Sequence, residues 1–278
     1  MVLRIAARAL PRALLGLADE AAWDRGVVLI AAHPDDETIG AGGVMPRLPL
    51  LAVVHVTGGV PADRRWWGVA GQTDRAYGEA RRGEAARALR LAGVRADRIR
   101  ALGREDQRAS FALEALARDV AVLLDELRPG VVLTHAYEGG HPDHDAAAFA
   151  VQGAGGLAAA PPTVLEFTGY HAWGVGIATA RFLPAPAGDG ASVPLGAADR
   201  ARKQRMLGCF ATQYATLAQF PAGAREHFRV SPGYDFTRPP HPGTLNYERF
   251  GWGITGPEWC ALATAALRAL GLRAGLPC

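Results

Sequence analysis

The chain has 278 residues, of which 49% are hydrophobic and 21% charged; this composition is typical of a soluble globular protein and excludes an intrinsically disordered one. Its net charge of +3 comes from arginines that are spread through the predicted helices without forming a basic cluster, so we expect no nucleic-acid partner. The three cysteines are far apart and form no CxxC pair, which argues against both a thiolate zinc site and a disulfide framework.

At the amino terminus the apolar residues have helical spacing and predict an amphipathic helix; they are Leu3, Ala7, Leu10 and Leu14. Arginines and a proline interrupt this segment, so it lacks the continuous apolar region of a signal peptide. No stretch of the sequence is long and apolar enough to span a membrane. These features predict a cytoplasmic protein.

The next segment begins with a continuous apolar run, "VVLIAA" at 27–32, which is typical of a strand buried on both faces of a sheet. A short helix is predicted over 38–48 and a second strand over 50–56. Residues 57–75 are rich in glycine and polar side chains and predict a long loop, and long loops often carry functional residues. We therefore expect this loop to contribute to substrate specificity.

Helices and strands continue to alternate along the chain. A helix is predicted over 76–94, a short strand over 98–102, and a second helix over 110–130 that has Ser110 as its N-cap. The apolar segment "VVLTH" at 131–135 predicts another buried strand, and this strand ends on a histidine. Alternation of this kind predicts a mostly parallel sheet.

After residue 160 the pattern is less regular. Strands are predicted over 163–172 and 174–183, and a connection rich in Pro, Gly and Ala follows at 184–197. Helices are predicted over 198–214 and 257–272, the second with a proline at its start. We expect a Rossmann-like α/β fold, a mostly parallel sheet flanked by helices.

We expect one α/β domain that occupies the whole chain, 1–278. Its core should span about residues 24–180. The less regular C-terminal portion, about residues 181–278, should complete the substrate pocket. The sequence contains no internal repeat that would suggest a second, independent unit.

Two short polar clusters each follow a predicted strand, and each begins with His-Pro-Asp. They are "HPDDE" at 33–37 and "HPDH" at 141–144. Because ligands in open α/β sheets bind beyond the carboxyl ends of the strands, we expect both clusters at one edge of the sheet. Two imidazoles and one carboxylate suit a zinc site with an open position for water, and a neighbouring carboxylate can take the proton of that water. The clusters therefore predict a metal-dependent hydrolase.

These segments resemble the PIG-L/LmbE-like metal-dependent de-N-acetylases, which remove acyl groups from amino sugars and related amides. The resemblance rests on "AHPDDE" at 32–37, "GGHPDHDAA" at 139–147 and the helical segment "RRGEAARALRLAGV" at 81–94. It covers about residues 27–170 at the level of the fold. It implies a hydrolase that removes an acyl group, acetyl above all, from the nitrogen of an amino sugar or related glycoconjugate.

The resemblance also implies roles for individual residues. His33, Asp36 and His144 would hold the metal, with Zn²⁺ expected and Fe²⁺ or another divalent ion also compatible with such ligands. Asp35 would be the general base that activates the water. His141 would stabilise the tetrahedral intermediate and protonate the departing nitrogen.

Three further assignments follow from the resemblance. Asp143 would orient or tune His141. Arg81 is the first residue of the R-x-x-E match and corresponds to a position that contacts substrate. The family often has a tyrosine near the second motif, but glycines stand immediately before His141 here, so Tyr137 is the candidate for that position.

Other residues near the motifs keep two open interpretations. Glu37 is favoured as a capping or supporting residue over a catalytic one. His135 fits either a supporting position behind the metal ligands or a purely structural one. His55 is favoured as a hydrogen-bonded core residue. Trp66 and Trp67, in the long loop, fit either stacking on a sugar or acyl chain or local packing.

Two other functions stay open on the sequence alone. A metallophosphoesterase-like hydrolase also uses His and Asp clusters, although it usually needs two metal ions and more carboxylate ligands. A non-catalytic sugar- or nucleotide-binding protein would need no general base. In each case the partner is a small molecule, and the oligomeric state is left open. Specificity should depend on the loop at 57–75 and on the C-terminal third, where His241 is favoured as part of a Pro/Gly turn over a place in the pocket.

Overall fold

The computed structural model describes residues 10–184 and 190–273. Within these two ranges, none of the helices combines the length and apolar character needed to cross a membrane. The strands of this part of the chain are β1 (Val27–Ala31), β2 (Ala52–Thr57), β3 (Ile99–Arg104), β4 (Val131–His135), β5 (Thr163–Phe167), β6 (Tyr170–Trp173), β7 (Gly176–Thr179), β8 (Ala191–Pro194) and β9 (Arg225–Val230). Its α-helices are α1 (Arg12–Leu15), α2 (Glu20–Asp24), α3 (Asp36–Ala41), α4 (Asp74–Leu91), α5 (Leu113–Leu127), α6 (Pro142–Leu157), α7 (Ala197–Leu207), α8 (Tyr214–Leu217), α9 (Asn246–Phe250) and α10 (Gly256–Leu270).

The predicted amino-terminal helix falls only in part within the described residues. Leu3 and Ala7 lie outside them. Leu10 and Leu14 are buried, and α1 forms the end of the predicted segment. Both side chains pack into the same apolar layer as β1, so this end of the chain is attached to the domain.

Seven strands form one mixed sheet in the order β3-β2-β1-β4-β5-β9-β8, and β6 pairs with β7 in a separate antiparallel hairpin. The first five strands in this order are parallel, whereas β9 and β8 join antiparallel. The chain runs outward from β1 to β3 and then crosses back to place β4 on the other side of β1. The strand order therefore reverses between β1 and β4, where ligands bind in sheets of this type. The predicted α/β fold with a mostly parallel sheet is confirmed.

Strand β1 is fixed by apolar packing on both faces of the sheet, because its alternate side chains point in opposite directions. Val28 and Ile30 face the layer that contains α5, α6 and α10. Leu29 and Ala31 face the layer of α3, α4 and α7. Burial of an aliphatic side chain of this kind stabilises a fold by about 1.5–3 kcal/mol. The carboxyl end of β1 is thus a rigid base for the residues that follow it.

Several predicted helix boundaries are wrong; the helix predicted over 38–48, for example, is α3 and ends at Ala41. Helix α7 ends at Leu207 and not at residue 214, because the chain turns at Gly208. Ser110 does not cap α5, since its hydroxyl donates to the carbonyl oxygen of Pro142 at 3.1 Å and a short 3₁₀ turn at Ala109–Ala112 precedes the helix. The difference at α7 is local to Gly208, whereas that at α5 arises from a contact with a segment distant in sequence.

The sequence pattern does not predict the two antiparallel strands. β8 lies in the Pro/Gly/Ala-rich connection at 184–197, which lacks a strand signal. β9 has the sequence REHFRV, in which charged residues are buried: Glu226 pairs with Lys203 at 2.7 Å and Arg229 with Glu166 at 2.8 Å. Charged residues in a sequence usually indicate an exposed loop. Here both of these charged residues are buried with an oppositely charged partner that is distant in sequence, so the local pattern does not indicate a strand.

Lys203, the only lysine of the chain, joins three elements in the interior. Its ammonium group donates to the carbonyl oxygen of Ile39 in α3 and to Glu226 in β9, each at 2.7 Å. The Glu226 carboxylate also accepts the backbone N–H groups of Gly43 and Val44 at 2.7 and 3.0 Å. This network fixes the carboxyl end of α3, the helix that begins with Asp36.

Replacing Lys203 by methionine is expected to lower the free energy of unfolding by about 3–5 kcal/mol, because it leaves the buried Glu226 carboxylate without its cation. Urea denaturation measures this loss. The control is Arg75→Met, which removes the exposed Arg75–Glu79 pair and should leave the unfolding midpoint unchanged. Equal midpoints for wild type and Lys203→Met would show that the buried pair does not stabilise the fold.

Candidate metal centre and catalytic cleft

The first polar cluster lies where β1 passes into α3. His33 follows the strand by two residues, and Asp36 is the first residue of α3. Gly40 allows this helix to lie against the sheet, since a Cβ at that position would stand 2.1 Å from the ring of Phe167. Close packing of the helix on β5 therefore helps to fix Asp36 above the edge of the sheet.

The second cluster begins α6, directly beyond β4. His141 is the N-cap residue with an extended backbone, and Pro142 takes the first helical position, where its missing N–H leaves no hydrogen bond unmade. The ring of His141 lies 4.4 Å from that of His33, and the ring of His144 lies 5.4 Å from it, measured between centroids. The structure thus brings the two predicted clusters together at the point where the strand order reverses.

Asp36 links the two clusters through its carboxylate. Its Oδ2 lies 3.1 Å from Nδ1 of His33, and its Oδ1 lies 3.2 Å from Nε2 of His144. Burial disfavours the charged form, but the neighbouring imidazoles of His144 and His135 outweigh it and hold the pKa of Asp36 well below its usual range. The group is an anionic carboxylate between two imidazoles.

A third imidazole, that of His135, lies behind this carboxylate. Its Nε2 accepts the backbone N–H of Ala32 at 3.0 Å, and its ring stacks on His144 with centroids 4.0 Å apart. Burial, followed by the charge of His144, lowers the pKa of His135 to about 4. His135 is therefore a neutral neighbour whose Nε2 lone pair is already used, and this favours the supporting interpretation over the purely structural one.

The donor atoms fit a divalent metal ion. Ligand-type atoms that lie within 4.8 Å of one another form three overlapping groups: His33 with His141 and His144; Asp36 with His135 and His144; and His33 with Asp106, His141 and Asp143. The first two groups share His144 and adjoin through the contact between Asp36 and His33. Imidazole nitrogens with a carboxylate oxygen are ligands that suit zinc or ferrous iron. The geometry brings the three predicted ligands together, although it does not by itself select them from these seven residues.

Asp35 lies beside these residues and is held by a buried arginine. Its Oδ2 accepts hydrogen bonds from both terminal nitrogens of Arg81 at 3.2 Å. Burial raises the pKa of Asp35 to about 7, although the guanidinium of Arg81 opposes the rise. Arg81 also donates to the carbonyl oxygen of Gly59 at 3.2 Å, which ties the long loop to α4. The predicted substrate contact Arg81 therefore lines the cleft but is bonded to the predicted base.

The tautomer of His141 follows from its hydrogen bond. Its Nδ1 accepts the backbone N–H of Asp143 at 3.1 Å, so in the neutral ring the proton is on Nε2. Burial, together with the nearby imidazoles of His33 and His144, lowers the pKa of His141 well below its usual value. His141 is thus a neutral hydrogen-bond donor at the wall of the cleft.

The side chain of Asp143 does not orient His141 as the sequence suggested. Its carboxylate accepts the backbone N–H groups of Gln107 and Ala109 at 2.6 and 3.0 Å, and Oδ2 lies 3.3 Å from Nε2 of His33. The orienting contact to His141 comes from the backbone of Asp143 instead. The carboxylate holds the segment that follows β3 against the first cluster.

Tyr137 does not reach the cleft. It is 3% exposed, packs against Phe236 and Trp259, and donates from its hydroxyl to the carbonyl oxygen of Arg238 at 2.9 Å. Its position after β4 turns the ring into the apolar core, so the predicted substrate contact is wrong. The tyrosine in the cleft is Tyr170 of β6, whose ring lies 5.2 Å from that of His144.

The two tyrosines should respond differently to loss of the hydroxyl. Tyr137→Phe removes one buried hydrogen bond and should lower the free energy of unfolding by about 1 kcal/mol while kcat stays unchanged. Tyr170→Phe removes the hydroxyl of the tyrosine that lines the cleft and should lower kcat by up to about 10²-fold. Steady-state kinetics and urea denaturation of both variants check this. A loss of kcat confined to Tyr137→Phe would contradict the placement.

Asp106 is a cleft residue that the sequence motifs did not reveal. It follows β3, it is 6% exposed, and its Oδ1 lies 3.5 Å from Nε2 of His33. Together with Gln107 and Asn246 it adds polar groups to the wall of the cleft. Its position in the sequence could have indicated a place in the cleft, because the carboxyl end of β3 lies on the same edge of the sheet as those of β1 and β4.

The cleft offers about 200 Å³ of space to water-sized molecules and opens to solvent. One end is formed by the His and Asp residues described above. Much of the other side is apolar and includes Trp66, Phe220, Phe250 and Trp252, which come from the long loop and the C-terminal third. Residues of both regions therefore line this cleft.

The structure distinguishes between the alternative interpretations of the two loop tryptophans and of two further histidines. Trp66 lines the cleft, whereas Trp67 stacks on Tyr77 with centroids 4.2 Å apart and donates its indole N–H to the protein backbone. His55 is a buried, hydrogen-bonded residue, as predicted. His241 lies in a turn, where its Nδ1 accepts the backbone N–H of Gly243 at 3.2 Å.

Comparison with known proteins gives a family match and a curated relative. Residues 28–154 match the family model described as PIG-L, GlcNAc-PI de-N-acetylase. The chain is 32% identical over 273 residues to the 1D-myo-inositol 2-acetamido-2-deoxy-alpha-D-glucopyranoside deacetylase 2 of Saccharopolyspora erythraea. That match covers 80% of this chain and 97% of the relative.

Solved structures share the fold at lower sequence identity. The A40926 pseudoaglycone deacetylase aligns with a TM-score of 0.56 and 21% identity, over 74% of this chain and 96% of that one. The N,N'-diacetylchitobiose deacetylase of Pyrococcus horikoshii aligns with a TM-score of 0.54 and 16% identity, over 84% of this chain and 94% of that one. These alignments show that the architecture is shared.

Proposed function

The chain belongs to the PIG-L de-N-acetylase family, and on this premise we propose that it is a metal-dependent hydrolase that removes an acetyl group from the nitrogen of an amino sugar or related glycoconjugate. The observation that carries the proposal is the convergence of Asp35, Asp36, His141 and His144 in one cleft. The Asp36 carboxylate, which lies between two imidazoles, is close to the carboxylate of Asp35 and the neutral imidazole of His141. This is the set of groups that hydrolysis of an amide requires.

We assign the metal to His33, Asp36 and His144. Nε2 of His135 already accepts the backbone N–H of Ala32 and its ring stacks on His144, which favours the set without His135, and His141 keeps its Nε2 for donation. The expected ion is Zn²⁺, with Fe²⁺ or another divalent cation as the alternative. When bound, such an ion polarises a carbonyl group and lowers the pKa of a bound water towards about 7.

Asp35 is the proposed general base. Arg81 holds its Oδ2, and no hydrogen bond from the described residues reaches its Oδ1, which is therefore available to a water in the cleft. A pKa raised to about 7 by burial matches a group that must accept a proton near neutral pH. Transfer of the proton to Asp35 leaves the water oxygen able to attack the acyl carbon.

His141 is the proposed donor to the reacting amide. Its Nε2–H can donate to the oxygen that becomes negative when the tetrahedral intermediate forms. Collapse of the intermediate breaks the carbon–nitrogen bond, and the nitrogen needs one proton to leave as an amine. The resemblance assigns this delivery to His141, but a neutral imidazole that gave up its Nε2 proton would become an imidazolate. We therefore propose that the protonated Asp35 returns to the nitrogen the proton that it took from water, while His141 keeps its Nε2–H bonded to the oxygen.

The polar wall of the cleft suits a sugar. Asp106 and Gln107, which follow β3, and Asn246, which begins α9, offer acceptors and donors for hydroxyl groups. The relative from Saccharopolyspora erythraea is named for a substrate that joins an N-acetylated glucosamine unit to inositol. We propose N-acetylglucosaminides as the first substrates to test.

The test is release of amine from N-acetylglucosamine, N,N'-diacetylchitobiose and N-acetylglucosaminyl-inositol by protein reconstituted with Zn²⁺ or Fe²⁺. The expected result is metal-dependent release of equal amounts of amine and acetate. Metal-dependent release of phosphate from a phosphoester panel, with two ions per chain and no amine release, would favour a phosphoesterase instead. Sugar binding that is unchanged in Asp35→Asn and His141→Ala, without turnover in wild type, would favour a binding protein.

A further inference from the structure

The backbone of Asp35 has a conformation that L residues rarely adopt. Its φ is 143° and its ψ is −29°. The other non-glycine residues with positive φ in the described ranges lie between 46° and 64°, close to the left-handed helical region. A conformation outside the allowed regions costs about 1–3 kcal/mol and persists only where surrounding contacts enforce it.

The contact that enforces it is made by Glu37. The backbone N–H of Asp35 donates to Oε2 of Glu37 at 3.0 Å, and the hydroxyl of Thr38 donates to Oε1 at 2.9 Å. The Glu37 side chain is fully buried and does not line the cleft. A buried carboxylate requires strong donors, and here one of those donors is the strained peptide itself.

Glu37 is in turn anchored to the neighbouring strand. Nε2 of His55 lies 3.1 Å from the Oε2 that accepts the Asp35 N–H. His55 lies in β2 opposite Ala31, the last residue of β1, and is 4% exposed. The position of the Glu37 carboxylate is therefore set by the sheet, which is the most rigid part of the fold, and not by the turn that contains Asp35.

We propose that Glu37 and His55 are positioning residues for the general base: together they hold the peptide of Asp35 at positive φ so that its carboxylate faces the cleft. Arg81 donates to Oδ2 of the Asp35 side chain, and Glu37, which is anchored by His55, accepts the backbone N–H of Asp35. Neither residue touches substrate. The inference rests on the proposed role of Asp35 and extends it to groups behind the cleft.

The decisive variants are His55→Leu and His55→Gln. Leucine removes the anchor of Glu37, whereas the side-chain amide of glutamine can return an N–H donor near the position of Nε2. Misplacement of a reacting group by about 1 Å can cost about 10²-fold in rate, so we expect His55→Leu to lower kcat by about 10- to 100-fold with KM unchanged. His55→Gln should recover most of kcat.

A matched control separates this effect from a general loss of stability. Gln152→Leu removes a different buried hydrogen bond, from Gln152 to Ser231 at 2.7 Å, away from the cleft. It should lower the unfolding midpoint, as His55→Leu does, and leave kcat at the wild-type value. Metal content per chain should equal that of wild type in all three variants. A crystal structure of His55→Leu should show Asp35 released from φ near +143°.

The outcomes are distinguishable from failure of the proposed function. If wild type releases no amine, the proposed function fails. If wild type is active, Asp35→Asn is inactive and His55→Leu keeps kcat within about 2-fold, the positioning proposal is overturned while the function stands. Equal loss of kcat in His55→Leu and His55→Gln would also overturn it, because the hydrogen bond to Glu37 would then be irrelevant.

Discussion

Replacing Asp35 by asparagine is expected to lower kcat by about 10²–10⁴-fold, the usual contribution of a general base, while the metal content stays at the wild-type level. Asparagine keeps the size of the side chain and a carbonyl oxygen that can accept from Arg81, but it cannot take a proton from water. The substitution replaces one carboxylate oxygen by NH₂ and leaves the backbone N–H that bonds Glu37 in place, so the backbone of the turn should survive. The loss should therefore appear in turnover and not in folding.

Steady-state kinetics, elemental analysis and urea denaturation together check this expectation. Glu79→Gln, which removes an exposed carboxylate on α4, is the control and should leave all three measurements unchanged. Retention of more than about a tenth of wild-type kcat in Asp35→Asn would show that another group accepts the proton.

Replacing Asp36 by asparagine, one position further along, is expected to have a different effect. The substitution removes the anionic carboxylate that lies between His33 and His144, and an amide NH₂ would face an imidazole nitrogen. Mutation of a residue that only hydrogen-bonds to a metal ligand costs about 10–100-fold in metal affinity. Loss of the ligand itself should therefore weaken metal binding by at least about 100-fold. Activity should be lost with the metal.

Metal per chain after dialysis, and competition with a chelator of known affinity, measure this loss. Asp35→Asn serves as the neighbouring control, because it changes the same chemical group one residue away. Equal loss of metal in both variants would show that the base and ligand assignments are wrong. Loss of metal from His135→Gln and not from His33→Gln would show that Asp36, His135 and His144 hold the metal instead.

The position of the site could be predicted because its signals are local. A buried apolar run that ends on histidine, as at His33 and His135, marks the end of a strand in the sequence itself. Parallel strands place their carboxyl ends on one edge, so two such endings predict one site without any knowledge of long-range contacts. The order of the strands then decides which ends are adjacent.

Residues that reach the site from elsewhere could not be predicted in this way. Tyr137 is two residues beyond β4, but its ring turns into the core, while Tyr170 arrives from a separate hairpin that no local pattern connects to the cleft. The carboxylate of Asp143 is similarly directed by backbone groups of Gln107 and Ala109, more than thirty residues earlier in the chain. Side-chain direction depends on packing partners that the sequence does not name.

The burial of Lys203 has a practical consequence for chemical labelling. Acylating reagents and amine-reactive cross-linkers target lysine, and the only lysine of this chain has a 5% exposed side chain with its ammonium group bonded to Ile39 and Glu226. Its modification therefore requires local opening of α7 away from α3, and the rate of mass gain at this residue reports the free energy of that opening. Labelling of Lys203 thus measures how often the contacts between α7, α3 and β9 open.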